Sequence, residues 1–196
     1  MNKGRIISLS GVSGAGKSLL IKDLVANLGF EHAIRVTTRK PREGEMNHVD
    51  AHFLTIQEFS HLEKQGKIIL TGDVFGNRYG FFKGAFKKIE KGANITLDFR
   101  YYMAEDFKRT YPEAFCTYIM PRKTRFATTE LAKRNVSQSE KLMRTKAMYA
   151  ELCWFNADNN KDMFDAIYQN DYTKNSVAGF RELVKNELAR EVYHGC

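Results

Sequence analysis

The sequence predicts an α/β domain built on a largely parallel core sheet, and three observations predict it. Apolar, strand-like runs alternate with helical stretches along most of the chain, which demands crossover connections between parallel strands. The first strand–helix junction, Gly11 to Ser18, is a glycine-rich turn that opens onto a helix. Residues 35 to 93 interrupt the alternation with a turn-rich insertion expected to carry a small sheet of its own. At 196 residues the chain is long enough for one domain with a sizeable core.

Taken in order, "RIISLSG" has the unbroken apolar character of a buried strand, and Lys17 to Leu28 the spacing of an amphipathic helix that Gly29 stops. "AIRVTTR" (33 to 39) reads as a short strand, followed by the polar connection "KPREGEMNHVDAHF". "TIQEFSHLEKQG" is helical, with Thr55 as N-cap and Glu58 completing a capping box. "KIILTGDVFGNRYG" alternates and turns as a strand pair, and "FFKGAFKKIEKG" reads as a helix closed by Gly92. "ANITLDF" is a buried strand with an acidic end, "MAEDFKRTYP" a helix and "AFCTYIMP" a strand. A long polar helical region from Arg122 to Leu152, the strand "FDAIYQND" and a helix from about Lys174 to Tyr193 complete the chain.

The composition, 43% hydrophobic and 28% charged, is that of a folded chain, and no window has the roughly 18 apolar residues of a membrane span. The first residues lack the apolar region and cleavage site of a leader, and the cysteines (Cys116, Cys153 and Cys196) are odd in number without metal-ligand spacing. A reduced, cytoplasmic protein is the expectation. The formal charge of +8 suits anionic partners. With no nucleic-acid-binding motif, and with arginines dispersed along the chain, a small phosphorylated substrate is expected rather than nucleic acid. Nothing in the sequence speaks to oligomeric state.

Gly11-Val12-Ser13-Gly14-Ala15-Gly16-Lys17-Ser18 fits G-x-x-x-x-G-K-[ST] at every position and lies between a strand and a helix, as that motif must. Its glycines let backbone N–H groups turn inward onto phosphate oxygens, and the helix N-terminus adds partial positive charge. Lys17 would bridge the β- and γ-phosphates of ATP, Ser18 would ligate Mg²⁺, and Leu19 follows directly as part of the nucleotide-contacting run. Asp98, ending a buried strand, is placed to order Mg²⁺ or its water and to face the substrate; a turn-capping aspartate is its plainer role.

"VTTRKPREGEMNHVDAHF" (36 to 53) resembles the T-T-R-x-P-R-x-G-E-x-N-G-x-D-Y-x-F signature of guanylate kinases. The register continues through "GNRYG" at 76 to 80, "LD" at 97 and 98, and "FDAIYQND" at 164 to 171. The resemblance spans nearly the whole chain and implies a three-layer P-loop kinase fold in a single domain, 1 to 196. Within it, a core (about 1–34, 94–120 and 151–196) would carry an acceptor-binding region (about 35–93) and a helical lid (about 121–150). It implies that Arg39, Arg42 and Tyr79 grip the acceptor phosphate, which suits the forked, permanently charged guanidinium. It further implies that Arg134 and Arg144, one residue closer together than usual, neutralise the migrating phosphoryl group, and that Asn170 holds the adenine end of ATP. Another lid arginine of the family is Glu130 here, so either Arg125 or Lys133 substitutes or catalysis is weaker.

The positions that read guanine depart from the family. Guanine shows N–H donors at N1 and N2, so its readers must be acceptors, yet those positions carry Arg35, Leu70 and Arg100. Ala51 replaces a tyrosine of the phosphate grip, and Phe81 a small hydroxyl residue. Asp73 or Thr71 would restore an acceptor if the strand register differed; in a purely structural role Arg35 and Arg100 would bridge to Glu31 or Glu105. The expected activity is ATP-dependent transfer of a phosphoryl group onto the phosphate of a small acceptor: GMP, dGMP or a nucleotide whose base is richer in carbonyls. Ribose 1,5-bisphosphate kinases, which share the two arginines, are the alternative within the class, and a non-catalytic guanylate kinase-like binding module the alternative outside it.

Overall fold

The computed structural model describes residues 3–133, 135–157 and 160–190. The chain runs β1 (Ile6–Ser10), α1 (Lys17–Leu28), β2 (Glu31–His32), β3 (Arg35–Thr37), β4 (His52–Phe53), α2 (Ile56–Lys64), β5 (Ile68–Val74) and β6 (Asn77–Phe82). It continues through α3 (Lys83–Phe86), β7 (Ile95–Asp98), α4 (Ala104–Thr110), β8 (Phe115–Pro121), α5 (Thr124–Ala132), α6 (Gln138–Asn156), β9 (Ala166–Asn170) and α7 (Lys174–Arg190).

The core sheet has the order β2-β7-β1-β8-β9 and every pairing in it is parallel. All five residues of β1 are buried because helices cover both faces. Alternate residues feed two cores: Ile7 and Leu9 meet Leu20, Leu24, Phe180 and Val184 from α1 and α7, while Ile6 joins Leu97, Phe107, Tyr118 and Phe155. The result is the expected three-layer α/β architecture. Loops at the carboxyl ends of β1 and β7 therefore share one crevice, the usual ligand position in such sheets.

The insertion forms a second sheet, ordered β4-β3-β6-β5, with β3, β6 and β5 antiparallel to their neighbours and β4 parallel to β3. Phe59 of α2 closes it over Val36 and Ile68, and the Thr55–Glu58 capping box is formed as predicted.

Several elements differ from the sequence reading, among them the two-residue β4, which falls within the expected connection. "FFKGAFKKIEKG" is not one helix but the four-residue α3 and a 3-10 turn over Lys87–Lys91, closed by Gly92 at φ 88°. Its buried residues, Phe86 and Ile89, stand three apart, the period that a 3-10 turn aligns. The long polar region is two helices, because the Ser137 hydroxyl accepts from the Glu140 N–H and starts α6 afresh. The two-residue β2, absent from the sequence reading, extends the core sheet beside β7. Among the described residues no helix is long and apolar enough to cross a membrane.

Candidate functional site

A cleft of about 830 Å³ opens between the two sheets, over the carboxyl ends of β1 and β7. Its floor is the loop between β1 and α1. Gly11, Gly14 and Gly16 have φ of 130°, 89° and 88°. A Cβ on Gly11 would lie 2.3 Å from the Ile119 carbonyl oxygen, and one on Gly14 2.5 Å from that of Ala127, so the cradle tolerates only glycine. Lys17 folds over the loop and donates to the carbonyls of Gly11 and Val12 (3.1 Å). Burial of the ammonium pushes its pKa down to about 8, against the attraction of Asp98 and Glu151. Ser13, Ala15, Ser18 and Leu19 line the same floor.

The wall above gathers the arginines of the 35–42 segment. Arg39 and Arg42 share one carboxylate: Glu45 accepts from Arg39 Nη2 at 3.0 Å and from the Arg42 backbone N–H at 2.8 Å. Arg42 also faces Glu140 of α6 at 3.6 Å, and the same Glu140 oxygen accepts from Arg144 Nη2 at 2.6 Å. Burial, then repulsion from Arg39 and Arg144, lowers the Arg42 pKa, while Arg144 holds the Glu140 carboxyl below its usual range. A second tie across the same gap joins Asn135 Nδ2 to Glu43 at 2.7 Å. Tyr79 lines the cleft opposite Thr37 in the β3–β6 register. Arg39, Arg42, Tyr79 and Arg144 thus converge. Arg134 lies outside the described residues. At the family's remaining lid arginine, Glu130 pairs with Lys133 at 2.6 Å and both line the cleft; Arg125 instead stacks on Phe126.

At the other end the two departing arginines do not bridge to Glu31 or Glu105. Arg35 Nη2 donates to both oxygens of Asp98, at 2.7 and 2.9 Å, tying β3 to the end of β7. Burial opposes the charge on Asp98, but Arg35 and then Lys17 outweigh it and hold the carboxyl below its usual range. Arg100 points its Nη1 at Glu151 of α6 from 3.8 Å; burial raises the pKa of that fully buried carboxyl. Leu70 sits at φ 53° in a bulge between Ile69 and Gly72 and packs on the core, so no acceptor occupies its place. The register does not restore one: the Thr71 hydroxyl bonds Glu63, and Asp73 is exposed opposite Arg78.

Asn170 lies against the glycine loop. It was expected at the adenine end of the nucleotide, yet its side chain is wholly buried. Its Nδ2 donates to the Ala15 carbonyl at 2.8 Å, and its Oδ1 accepts from the Tyr172 N–H and the Ser176 hydroxyl, each at 3.0 Å. It braces the glycine loop from within the fold. Tyr172, which sequence reasoning missed, lines the cleft beside the loop, donates to the Gly14 carbonyl and is met edge-on by Phe126. Its only sequence signal is position, two residues after Asn170. Replacing Asn170 by alanine frees several buried polar groups and is expected to cost about 2 kcal/mol in a denaturant titration. Binding of ATP and GTP should weaken to the same degree, as for a brace and not for a base reader.

Glu45, Glu140, Glu151 and Phe75 also escaped the sequence reading, since only folding brings them to the arginines. Among the described residues no three His, Cys, Asp or Glu side chains form a metal cluster. A hydroxyl (Ser18) and a single carboxylate (Asp98) suit only an ion that brings its remaining ligands with it, as Mg²⁺ does on nucleotide phosphates.

The family profile described as guanylate kinase matches residues 3–187. The guanylate kinase of Clostridium acetobutylicum is 31% identical over 194 residues, covering 96% of this chain and 88% of the relative. That of Clostridium tetani is 29% identical over 192 residues, covering 97% and 89%. The crystal structure of guanylate kinase from Anaplasma phagocytophilum superposes with a TM-score of 0.71 at 23% identity, over 95% of this chain and 87% of that one. The last of these is a likeness of fold.

Proposed function

The chain belongs to the guanylate kinase family, and from that premise we propose that it transfers the γ-phosphoryl group of ATP onto the phosphate of a nucleoside monophosphate or similarly small acceptor. It is a phosphotransferase of the nucleoside monophosphate kinase type. One observation carries the reading: a glycine cradle with its lysine and an arginine cluster with its tyrosine face each other across one cleft. We read 35–93 as the acceptor-binding arm, 121–150 as the lid, and the protein as cytoplasmic.

The loop from Gly11 to Ser18 would hold the donor phosphates through its N–H groups, with Lys17 turning from the Gly11 and Val12 carbonyls to the β- and γ-phosphates. Arg39, Arg42 and Tyr79 would fix the acceptor phosphate, and Arg144 would face the group in transit. An acceptor phosphate oxygen attacks the γ-phosphorus, the bond to the β,γ-bridging oxygen breaks, and its electron pair leaves with ADP. Little covalent work falls to the protein; positioning and charge neutralisation carry the rate. Ser18 would hold Mg²⁺ directly, and Asp98, already gripped by Arg35, through its water; when bound, the ion draws charge from the phosphates. Closing 121–150 over the cleft would keep water from the γ-phosphate.

The test is ADP release coupled to a panel of acceptors, with the phosphorylated product identified by mass. Stoichiometric product supports the reading; ATP binding without release for any acceptor refutes it. The depressed lysine adds a pH signature. Its pKa is about 8 in the folded protein against 10.5 for an ordinary lysine, so between these the unfolded chain binds the extra proton and stability rises with pH. Phosphates need the charged form, so binding ATP at pH 8.5 to 9 should take up a proton, read as a buffer-dependent calorimetric enthalpy.

A further inference from the structure

We propose that Arg100, backed by Phe75, makes the far end of the acceptor pocket a reader of oxygen-rich groups, so that the preferred acceptor bears carbonyl or anionic oxygens there instead of the N–H donors of guanine. This deepens the phosphotransfer reading and rests on it, since it takes the acceptor phosphate to lie on Arg39 and Arg42.

Four carboxylates line the cleft and each already has a partner. Glu45 is held by Arg39 and Arg42, Asp98 by Arg35, Glu130 by Lys133, and Asp50 accepts from the Met46 N–H at 2.8 Å. Guanine seated here would have to draw its N1 and N2 donors onto carboxylates already engaged by arginine, lysine or backbone, and each buried donor left unmatched is costly. Arginine can grip the O6 and N7 edge of guanine, so the discrimination rests on those two donors.

Arg100 is in the opposite condition. Among the described residues its guanidinium makes no hydrogen bond: Nη1 forms a long ion pair with Glu151 at 3.8 Å and the buried Nε has no partner. Arg35, by contrast, is spent on Asp98. The Arg100 guanidinium lies 5.8 Å from the centre of the Phe75 ring, and Arg144 lies 5.8 Å from the same ring. Phe75 therefore links the unspent arginine to the phosphate-facing one and offers a flat apolar surface between them. A ligand oxygen in the cleft could be gripped by the exposed part of the Arg100 guanidinium. That chemistry has two sources, the carbonyl rim of a uracil-like base or a second phosphate on a sugar.

The experiment is calorimetric titration of the full chain with GMP, UMP and ribose 1,5-bisphosphate. UMP or the bisphosphate should bind at least tenfold more tightly than GMP, and whichever is tighter names the source. Arg100→Gln should remove that preference, and Arg100→Asp should tighten GMP at least tenfold; if Arg100→Asp melts early, the Gln variant alone decides. GMP binding to the native chain as tightly as the better of the other two overturns the proposal. ADP release measured with the same acceptors separates the two readings. Catalysis absent with every acceptor of the panel refutes phosphotransfer, whereas catalysis favouring GMP refutes only the role of Arg100.

Discussion

Replacing Lys17 by alanine is expected to lower kcat/KM for phosphoryl transfer by about 10³-fold, the cost of losing a preorganised charge aimed at the transferring group. The fold should not suffer with it. In the free protein the ammonium is buried over the Gly11 and Val12 carbonyls at a desolvation cost large enough to push its pKa down to about 8. Deleting a side chain held in that state removes the cost along with the contact, so the melting temperature should stay within a few degrees of native. Activity by ADP release and melting by differential scanning calorimetry check the two halves together. Lost activity with a collapsed melting point would make Lys17 a structural residue and sink its assignment to the phosphates.

Gly11→Ala is expected to damage fold and site at once. The new Cβ would stand 2.3 Å from the Ile119 carbonyl oxygen on β8, at φ 130°, where side chains rarely sit. Neither the strand end nor the loop can yield without disturbing the β1–β8 pairing, which runs from Ile7 to Ser10. Strain of this kind costs about 2 to 4 kcal/mol, or about 5 to 15 °C in melting temperature for a domain of this size. ATP affinity should fall with it. Gly29→Ala is the control: its φ is 68°, but nothing lies within 4 Å of a Cβ there. That change should cost about 1 kcal/mol and spare nucleotide binding. Equal losses in the two variants would mean that only the backbone conformation matters and the close approach to Ile119 does not.

What was legible in the sequence was local. The glycine loop, the Thr55 capping box, the arginine-bearing turn and the acidic end of β7 each occupy a few consecutive residues whose chemistry is set by their neighbours. Pairings across the fold were not legible. Arg35 finds Asp98 63 residues away, and Arg42 meets Glu140 from a different helix. Asn170 shows the difference sharply: a polar residue at a strand end invites a ligand reading, and only the fold reveals that it also reaches 155 residues back to hold Ala15. The bulge at Leu70 is similar, since a left-handed leucine inside a strand has no sequence signature and only the β5–β6 register reveals it.

The carboxylates seated on the arginine cluster have a consequence for turnover. Arg39, Arg42 and Arg144 already share two carboxylates, Glu45 and Glu140, which offset two of their three charges, so on the proposed reading a phosphate would enter largely by displacing one anion with another. Exchange of that kind yields less net binding energy than filling a bare cationic pocket, and it supplies a ready replacement when product departs. On that reading, the carboxylates already seated on the arginines would shorten the stay of whatever binds there.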